Sequence, residues 1–206
     1  MTQAQPRIGV FGGAFDPPHV AHVALARVAL AQLALDELRI FPTGEAWHKS
    51  RRLSAATHRL AMARLAFEGL DRVHVDAREI ERVGPTYTVD TLRALQADHP
   101  GTLLFLILGE DQARALPTWR EWQEILGLAI ICVAARHSAV DHVDELNSFS
   151  GFVGGATGRF QRLTLEPMDV GSTRIRALTA ASDVIAPLVP ESVARYISHH
   201  HLYQNP

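Results

Sequence analysis

The chain has 206 residues, of which 47% are apolar and 20% charged, and its 20 basic residues against 22 acidic ones give a formal net charge of −2. This composition is that of a globular protein and excludes an intrinsically disordered chain. The lack of a basic excess argues against a nucleic-acid binder, and the single cysteine, Cys132, excludes a disulfide-stapled fold.

Two uncharged apolar stretches, 100–109 and 125–135, are candidates for membrane insertion. Both are shorter than the roughly 18 residues that a spanning helix needs. The N-terminal residues MTQAQPRIGVF lack the charged and apolar regions of a signal peptide. We therefore predict a cytoplasmic protein without a membrane partner, in a reducing compartment that suits a lone thiol.

Short β-branched and apolar runs alternate with longer segments of helical spacing along the chain. In chain order the sequence predicts a strand at 7–11, a helix at 19–35, a strand at 38–41, a helix at 55–67, a strand at 73–76, a helix at 88–98, a strand at 103–108, helices at 111–116 and 119–126, strands at 129–134 and 163–165, and helices at 172–181 and 191–200.

This alternation is typical of an α/β fold, a doubly wound parallel sheet with helices on both faces. We expect one domain over residues 1–206, with a polar, glycine-rich surface insertion at about 137–160. In such sheets a ligand binds beyond the carboxyl ends of the strands, where the strand order reverses.

The sharpest motif, residues 12–22, lies between the first strand and the first helix and reads GGAFDPPHVAH. Gly12 and Gly13 let the backbone approach a ligand closely. His19 and His22 are three residues apart, so they share one face of the first helical turn, whose N-terminus attracts anions. The motif predicts a phosphate-bearing ligand. An ordinary strand–helix turn capped by histidines is the alternative, and a zinc site is less favoured because no third ligand accompanies the pair.

This motif resembles the GxFDPxHxGH signature of the HxGH nucleotidyltransferase superfamily, and residues 171–176, GSTRIR, resemble its second signature. Three further segments look like substrate segments of bacterial nicotinate-mononucleotide adenylyltransferases; they are 42–50, 84–92 and 108–122. The resemblance runs from about residue 7 to residue 203. The sequence departs from the signatures at Ala14, Ala21 and Gly171.

The resemblance implies a Rossmann-like nucleotidyltransferase fold. It implies transfer of AMP from ATP to nicotinate mononucleotide, which yields deamido-NAD and pyrophosphate, with Mg²⁺ held mainly by the ATP phosphates and water. The implied catalytic residues are those that bring hydrogen-bond donors or positive charge to the phosphates, namely His19, His22, Lys49 and Arg176.

The implied binding residues form two sets. Those for ATP are Gly12, Gly13, Phe15, His19, His22, Gly109, Asp111, Ser172, Thr173 and Arg176. Those for nicotinate mononucleotide are Phe15, His48, Lys49, Tyr87, Thr88 and Trp119.

Several of these residues have a structural alternative. Trp119, at the predicted start of a helix, can stack on a pyridine ring. The free backbone N–H groups at that helix start, and those at Tyr87 and Thr88 before another helix, can bind the ring carboxylate. Core packing competes for Trp119 and is favoured for Trp122. Helix capping competes for Asp111, and Ser172 could cap its own helix as well.

Other functions stay open on the sequence alone. Within the superfamily, the acceptor could be nicotinamide mononucleotide or a pantetheine phosphate. Outside it, a nucleotide sensor without turnover is favoured only by Ala14 and Gly171. We expect small-molecule substrates in each case, and the sequence leaves the oligomeric state open.

Overall fold

The structure is a computed structural model that describes residues 5–44, 53–136 and 160–204. The strands are β1 Arg7–Gly13, β2 Glu37–Pro42, β3 Val73–Val75, β4 Leu103–Gly109, β5 Ala129–Arg136 and β6 Phe160–Leu165. The helices are α1 Val20–Gln32, α2 Ala56–Phe67, α3 Arg78–Glu81, α4 Thr88–Asp98, α5 Glu110–Ala115, α6 Trp122–Leu128, α7 Ser172–Ala180 and α8 Glu191–His199, and a 3₁₀ turn spans Leu116–Thr118.

The six strands form one sheet in the order β3-β2-β1-β4-β5-β6. Strand β4 pairs in parallel with β1 and with β5, and β5 pairs in parallel with β6. The strand order reverses between β1 and β4, as in the doubly wound dinucleotide-binding fold. The predicted α/β, Rossmann-like fold class is thereby confirmed.

The predicted elements agree with the observed ones to within a few residues at most ends. Strand β1 extends through Gly12 and Gly13, which were predicted to end it. The four-residue helix α3 was not predicted. The helix predicted at 119–126 was placed too early, because α6 begins at Trp122 and not at Trp119.

The central strands bury their side chains because helices and neighbouring strands cover them. In β4 the side chains of Leu104, Phe105, Leu106 and Ile107 are all nearly inaccessible. Cys132 in β5 is fully buried, as predicted, and burial raises the pKa of its thiol to about 12. The lone cysteine is therefore a core residue.

The chain divides into two compact bodies. The sheet body comprises Met1–Gly12, Val28–Arg39 and Tyr87–Pro167, and the motif body comprises Gly13–Arg27, Ile40–Thr86 and Met168–Pro206. The expected single domain over 1–206 stays a prediction, and the expected insertion at 137–160 lies almost wholly outside the described residues. Among the helices that are described, none is long and apolar enough to cross a membrane.

Candidate active site

The loop that leads from β1 into α1 is fixed by a buried phenylalanine. Phe15 has a left-handed φ of 48°, is 2% exposed and packs its ring edge-on against His22, with ring centroids 5.1 Å apart. A Cβ on Gly13 would lie 3.1 Å from this ring, which favours glycine there. The ring of Phe15 thus anchors the loop, and the substrate contacts predicted for this residue stay a prediction.

The two motif histidines stack on each other, with ring centroids 3.7 Å apart and ring planes at 28°. The backbone N–H of His19 donates to the ring atom Nδ1 of His22 at 3.1 Å. His19 itself lies just before α1, whereas His22 lies in its first turn. The two rings lie on one side, as predicted from their spacing, although His19 precedes the helix. The alternative of histidine capping holds for His22, which accepts a hydrogen bond from the backbone N–H of His19.

Both histidines are neutral at physiological pH. Burial lowers the pKa of His19 to about 4. Burial, followed by the nearby His19, holds the pKa of His22 well below its ordinary value. Because Nδ1 of His22 accepts a hydrogen bond, the proton of its neutral ring is on Nε2. The pair can therefore offer hydrogen bonds to an anion but adds no net charge.

One atom of the pair lacks a partner. His19 is 8% exposed, and within the described part of the chain its Nδ1 atom is buried without a hydrogen bond. A buried polar atom left unsatisfied costs about 1–3 kcal/mol. A ligand or an ordered water that hydrogen-bonds to this atom would remove that cost.

The second motif meets the first in the motif body. Ser172 Oγ donates to the Pro17 carbonyl at 2.9 Å, although the two residues are 155 positions apart. Arg176 Nη1 donates to the Asp16 carbonyl at 2.7 Å, and its Nη2 donates to Thr173 Oγ1 at 3.1 Å. Ser172, Thr173 and Arg176 are therefore brought beside residues 14–22, which we call the histidine loop, as the two-motif prediction requires.

The capping role suggested for Ser172 is wrong. Gly171 is the N-cap of α7, and Ser172 is the first helical residue, with its hydroxyl committed to Pro17. Arg174 is exposed, as predicted, and pairs with Asp169.

Three buried or half-buried side chains of this site were not predicted. Asp16 is 2% exposed; its Oδ1 accepts from the Tyr203 hydroxyl at 2.7 Å and its Oδ2 from the Ser54 N–H at 3.2 Å. Burial, together with the charge of Asp16, raises the pKa of Tyr203. Arg59 in α2 is also 2% exposed and donates to three carbonyl groups. Asp16 was visible in the motif, but no local signal marked Arg59 or Tyr203.

In the sheet body, two predicted nucleotide residues lie at the end of β4: Gly109 is its last residue, and Asp111 follows two positions later. Gly109 is exposed and is the N-cap of α5, so the alternative in which Asp111 caps this helix is wrong. Asp111 is exposed in the first turn of α5. A ribose contact for Asp111 stays a prediction.

Trp119 is not at a helix start. It follows the 3₁₀ turn Leu116–Thr118, and its backbone N–H donates to the Leu116 carbonyl at 3.0 Å. This backbone group is therefore not available to a carboxylate. Trp119 and Trp122 are both half-buried, so the core position favoured for Trp122 is wrong. Neither indole is enclosed.

Tyr87 is the N-cap of α4, and Thr88 is its first residue. The Tyr87 side chain makes no capping hydrogen bond to the start of this helix. The guanidinium of Arg120 lies over the Tyr87 ring, 4.7 Å from its centroid. Arg120 was not predicted, and its charge stands next to the helix start predicted to bind a carboxylate.

His48 and Lys49 lie outside the described residues, so their predicted roles stay predictions. Within the residues that are described, no group of three or more His, Cys, Asp or Glu side chains is placed to hold a metal ion. The buried carboxylate of the motif, Asp16, is engaged by Tyr203 and Ser54.

Comparison with known proteins gives this geometry its class. Residues 10–178 match the cytidylyltransferase-like family, so the chain is a member of that family. A protein of Albidiferax ferrireducens named "Probable nicotinate-nucleotide adenylyltransferase" is 60% identical over 198 residues, which cover 96% of this chain and 98% of that protein. A relative of the same name from Methylibium petroleiphilum is 44% identical, over 98% of this chain and 94% of its own length. The chain therefore belongs to the nicotinate-nucleotide adenylyltransferase family.

Solved structures agree on the fold. The Plasmodium falciparum nicotinic acid mononucleotide adenylyltransferase complexed with NaAD matches with a TM-score of 0.75 at 17% identity, over 97% of this chain and 98% of that one. The same enzyme complexed with APC matches equally well.

Proposed function

We propose that this protein transfers the adenylyl group of ATP to nicotinate mononucleotide, which gives deamido-NAD and pyrophosphate. The observation that carries the proposal is the junction of the two motifs, where Ser172 and Arg176 hydrogen-bond to the backbone of Pro17 and Asp16 beside the stacked histidines. Membership of the nicotinate-nucleotide adenylyltransferase family supports this substrate pair.

The reaction needs little proton transfer. A phosphate oxygen of the mononucleotide attacks the α-phosphorus of ATP; the new P–O bond forms as the bond to the bridging oxygen of pyrophosphate breaks. The attacking phosphate is already mostly ionised near neutral pH, because its second pKa is about 6. Catalysis then consists of positioning the two phosphates and stabilising the charge that builds on them.

The histidine pair is suited to the second task. We assign to His19 and His22 hydrogen bonds to the ATP phosphates, made by neutral rings. The low pKa values of both rings support donors that stay in one protonation state across the physiological range. Fixed donors of this kind need no reorganisation when charge develops on the phosphates.

Positive charge comes from Arg176, which the Asp16 carbonyl holds beside the motif loop. We assign Lys49 the same task. We assign Gly12, Gly13, Thr173 and, through its backbone N–H, Ser172 to the surrounding phosphate contacts. ATP enters as its Mg²⁺ complex, with the ion held by phosphates and water. The engaged carboxylate of Asp16 and the hydrogen-bond donors around it fit this arrangement better than a metal cage built from protein side chains.

The acid group of the second substrate distinguishes it from the amide. We assign Trp119 to stacking on the pyridine ring, and the start of α4 at Tyr87 and Thr88 to binding of the carboxylate. A helix N-terminus favours an anion, and the Arg120 charge over Tyr87 adds to that preference. We assign His48 to this mononucleotide, and Gly109 and Asp111 to ATP. The buried thiol of Cys132 is compatible with the cytoplasm, which we propose as the compartment.

The test is pyrophosphate release from ATP and Mg²⁺, run in parallel with nicotinate mononucleotide and with nicotinamide mononucleotide. We expect rapid release with the acid and little with the amide. Equal rates with both would refute the carboxylate assignment but keep the transferase. ATP binding without release with either acceptor would refute the proposed function and favour a sensor or another acceptor.

A further inference from the structure

Arg59 is a buried cation with an unusual set of partners. Its Nε donates to the Ser54 carbonyl at 3.0 Å, its Nη1 to the Ala14 carbonyl at 3.0 Å and its Nη2 to the Gly44 carbonyl at 3.1 Å. We call Arg59 with these three carbonyl groups the Arg59 junction. Each of its three guanidinium nitrogens thus holds a different stretch of backbone, and all four residues belong to the motif body.

The three carbonyl groups come from places with different tasks. Ala14 lies in the histidine loop, one residue before Phe15. Gly44 follows β2, and Ser54 precedes α2, so these two residues stand on either side of the segment predicted to carry His48 and Lys49. The Arg59 junction therefore joins both ends of that segment to the histidine loop.

A second set of contacts fixes the same points. Asp16 Oδ2 accepts from the Ser54 N–H at 3.2 Å, and the Tyr203 hydroxyl holds the other oxygen of Asp16. At Gly44 a Cβ would lie 2.0 Å from the Glu79 carbonyl oxygen, so no other residue fits without movement of the backbone. The Thr43 N–H donates to the Gly13 carbonyl at 2.9 Å.

A buried guanidinium is an expensive way to hold three carbonyl groups. Removing a charge from water costs several kcal/mol, and an apolar side chain is often at least as stabilising. Arginine is suited to this place by its planar fork of five donors, which fixes several acceptors at once. We therefore attribute the arrangement to its fixing of three backbone segments relative to one another, and not to a gain in folding stability.

We propose that Arg59 is a positioning residue for adenylyl transfer: it fixes the histidine loop relative to Gly44 and Ser54, the two ends of the segment that carries His48 and Lys49. This inference rests on the proposed function. Arg59 itself touches no substrate. Its effect passes through the three carbonyl groups that it holds.

The consequence is a split between the two substrates. The histidine loop keeps other supports when Arg59 is changed, because Ser172 and Arg176 hold Pro17 and Asp16 and the Phe15 ring remains buried. ATP binding should then persist. The histidine loop is then held to Gly44 and Ser54 through the Thr43–Gly13 and Ser54–Asp16 hydrogen bonds, without the three-way fork of Arg59. A displacement of about 1 Å between them can cost about 10²-fold in rate.

The experiment uses Arg59→Lys, which keeps the charge but not the three-way fork. We expect a fall of about 10²-fold in kcat and a raised KM for nicotinate mononucleotide, with an unchanged Kd for ATP. The matched control is Arg64→Lys, in the same helix at an exposed position, which should behave as wild type. Val193→Ala, at a fully buried position of α8 in the motif body, shows the effect of a loss of stability by itself.

The outcomes separate the two proposals. No pyrophosphate release by the wild-type protein refutes the proposed function. A wild-type protein that turns over, beside an Arg59→Lys variant with wild-type kcat or with an equal loss of ATP binding, overturns the positioning role. If Arg59→Lys does not fold, Tyr203→Phe decides, because it loosens Asp16 and through it Ser54: a smaller fall in kcat with unchanged ATP binding supports the role, and a wild-type rate overturns it.

Discussion

The histidine loop and the Trp119 segment, residues 116–124, hold their candidate functional side chains in different environments. In the histidine loop Phe15, Asp16 and His19 are all at least nine-tenths buried, and Arg176 and Tyr203, far along the chain, donate hydrogen bonds to Asp16. In the Trp119 segment the indole of Trp119 is half-buried and the charged neighbours are exposed. The first environment resembles a protein core, and the second a protein surface.

This difference teaches where each kind of effect should be found. Buried donors with fixed partners are pre-organised, so they act on the rate of the chemical step. Half-exposed aromatic and charged groups adapt to a ligand, so they act on its affinity. We therefore expect changes in the histidine loop to reduce kcat, and changes in the Trp119 segment to raise KM or to depend on salt.

The largest effect is expected from His22→Ala. Loss of one fixed donor to a developing oxyanion costs about 10²–10³-fold in kcat, and the pyrophosphate assay measures it. His74→Ala, an exposed histidine of β3, is the control and should leave the rate unchanged. Because the Phe15 ring packs on His22, thermal unfolding must be followed as well. A folded His22→Ala variant with the wild-type rate would break the assignment of this loop to catalysis.

A smaller effect is expected from Trp119→Ala. Stacking of a flat ring on an aromatic side chain contributes about 1–3 kcal/mol, so KM for nicotinate mononucleotide should rise about tenfold while kcat changes little. Trp122→Ala, which alters a half-buried indole at the start of α6, is the matched control. Loss of cooperative unfolding in the Trp119 variant, with KM unchanged, would favour the packing role.

The sequence predicted most of what depends on local pattern. The continuous apolar run of β4 and the alternation of strands and helices were enough for the sheet. The joining of the two motifs was implied by their resemblance to the two signatures of one superfamily. What failed was the start of α6: the backbone of Glu121 is left-handed, with φ of 52°, so the chain turns between Trp119 and Trp122. A glutamate gives no local sign of that conformation.

The Arg59 junction shows a second kind of limit. Arg59 sits in a helical segment rich in alanine and leucine, where an arginine is ordinarily a solvated residue. Its partner Ala14 is 45 residues upstream, and the hydrogen bond to it depends on tertiary structure alone. The same holds for Ser172, whose hydroxyl binds the distant Pro17 carbonyl although its place at a helix start suggested a cap.

A third expectation sharpens the comparison through pH. His19 and His22 have lowered pKa values in the folded protein, so between about pH 6.5 and 4 the unfolded chain binds more protons than the native one. Stability contributed by these neutral rings is complete above the ordinary histidine pKa and is lost as the pH falls. The slope is at most about 1.4 kcal/mol per pH unit for each histidine.

Urea unfolding at several pH values between 7 and 5 measures this slope. His19→Asn should make the pH dependence shallower than in the wild type, whereas Trp119→Ala should leave it unchanged. Parallel curves for the wild type and His19→Asn would mean that His19 binds protons equally in the folded and unfolded states, contrary to the low pKa assigned to it.

The smallest effect is expected from the exposed ion pairs between α4 and the Trp119 segment. Arg93 of α4 forms ion pairs with Glu121, Glu124 and Asp90, and its side chain is 41% exposed. Exposed pairs contribute little and are screened by salt, since the Debye length falls from about 10 Å at 0.1 M to about 3 Å at 1 M. Arg93→Ala should therefore lower Tm slightly at low salt and not at 1 M salt, with kcat unchanged. Arg27→Ala, an exposed arginine of α1, controls for the loss of one charge. A Tm decrease that persists in 1 M salt would show that these side chains pack as a rigid unit, and the contrast with the histidine loop would then rest on burial alone.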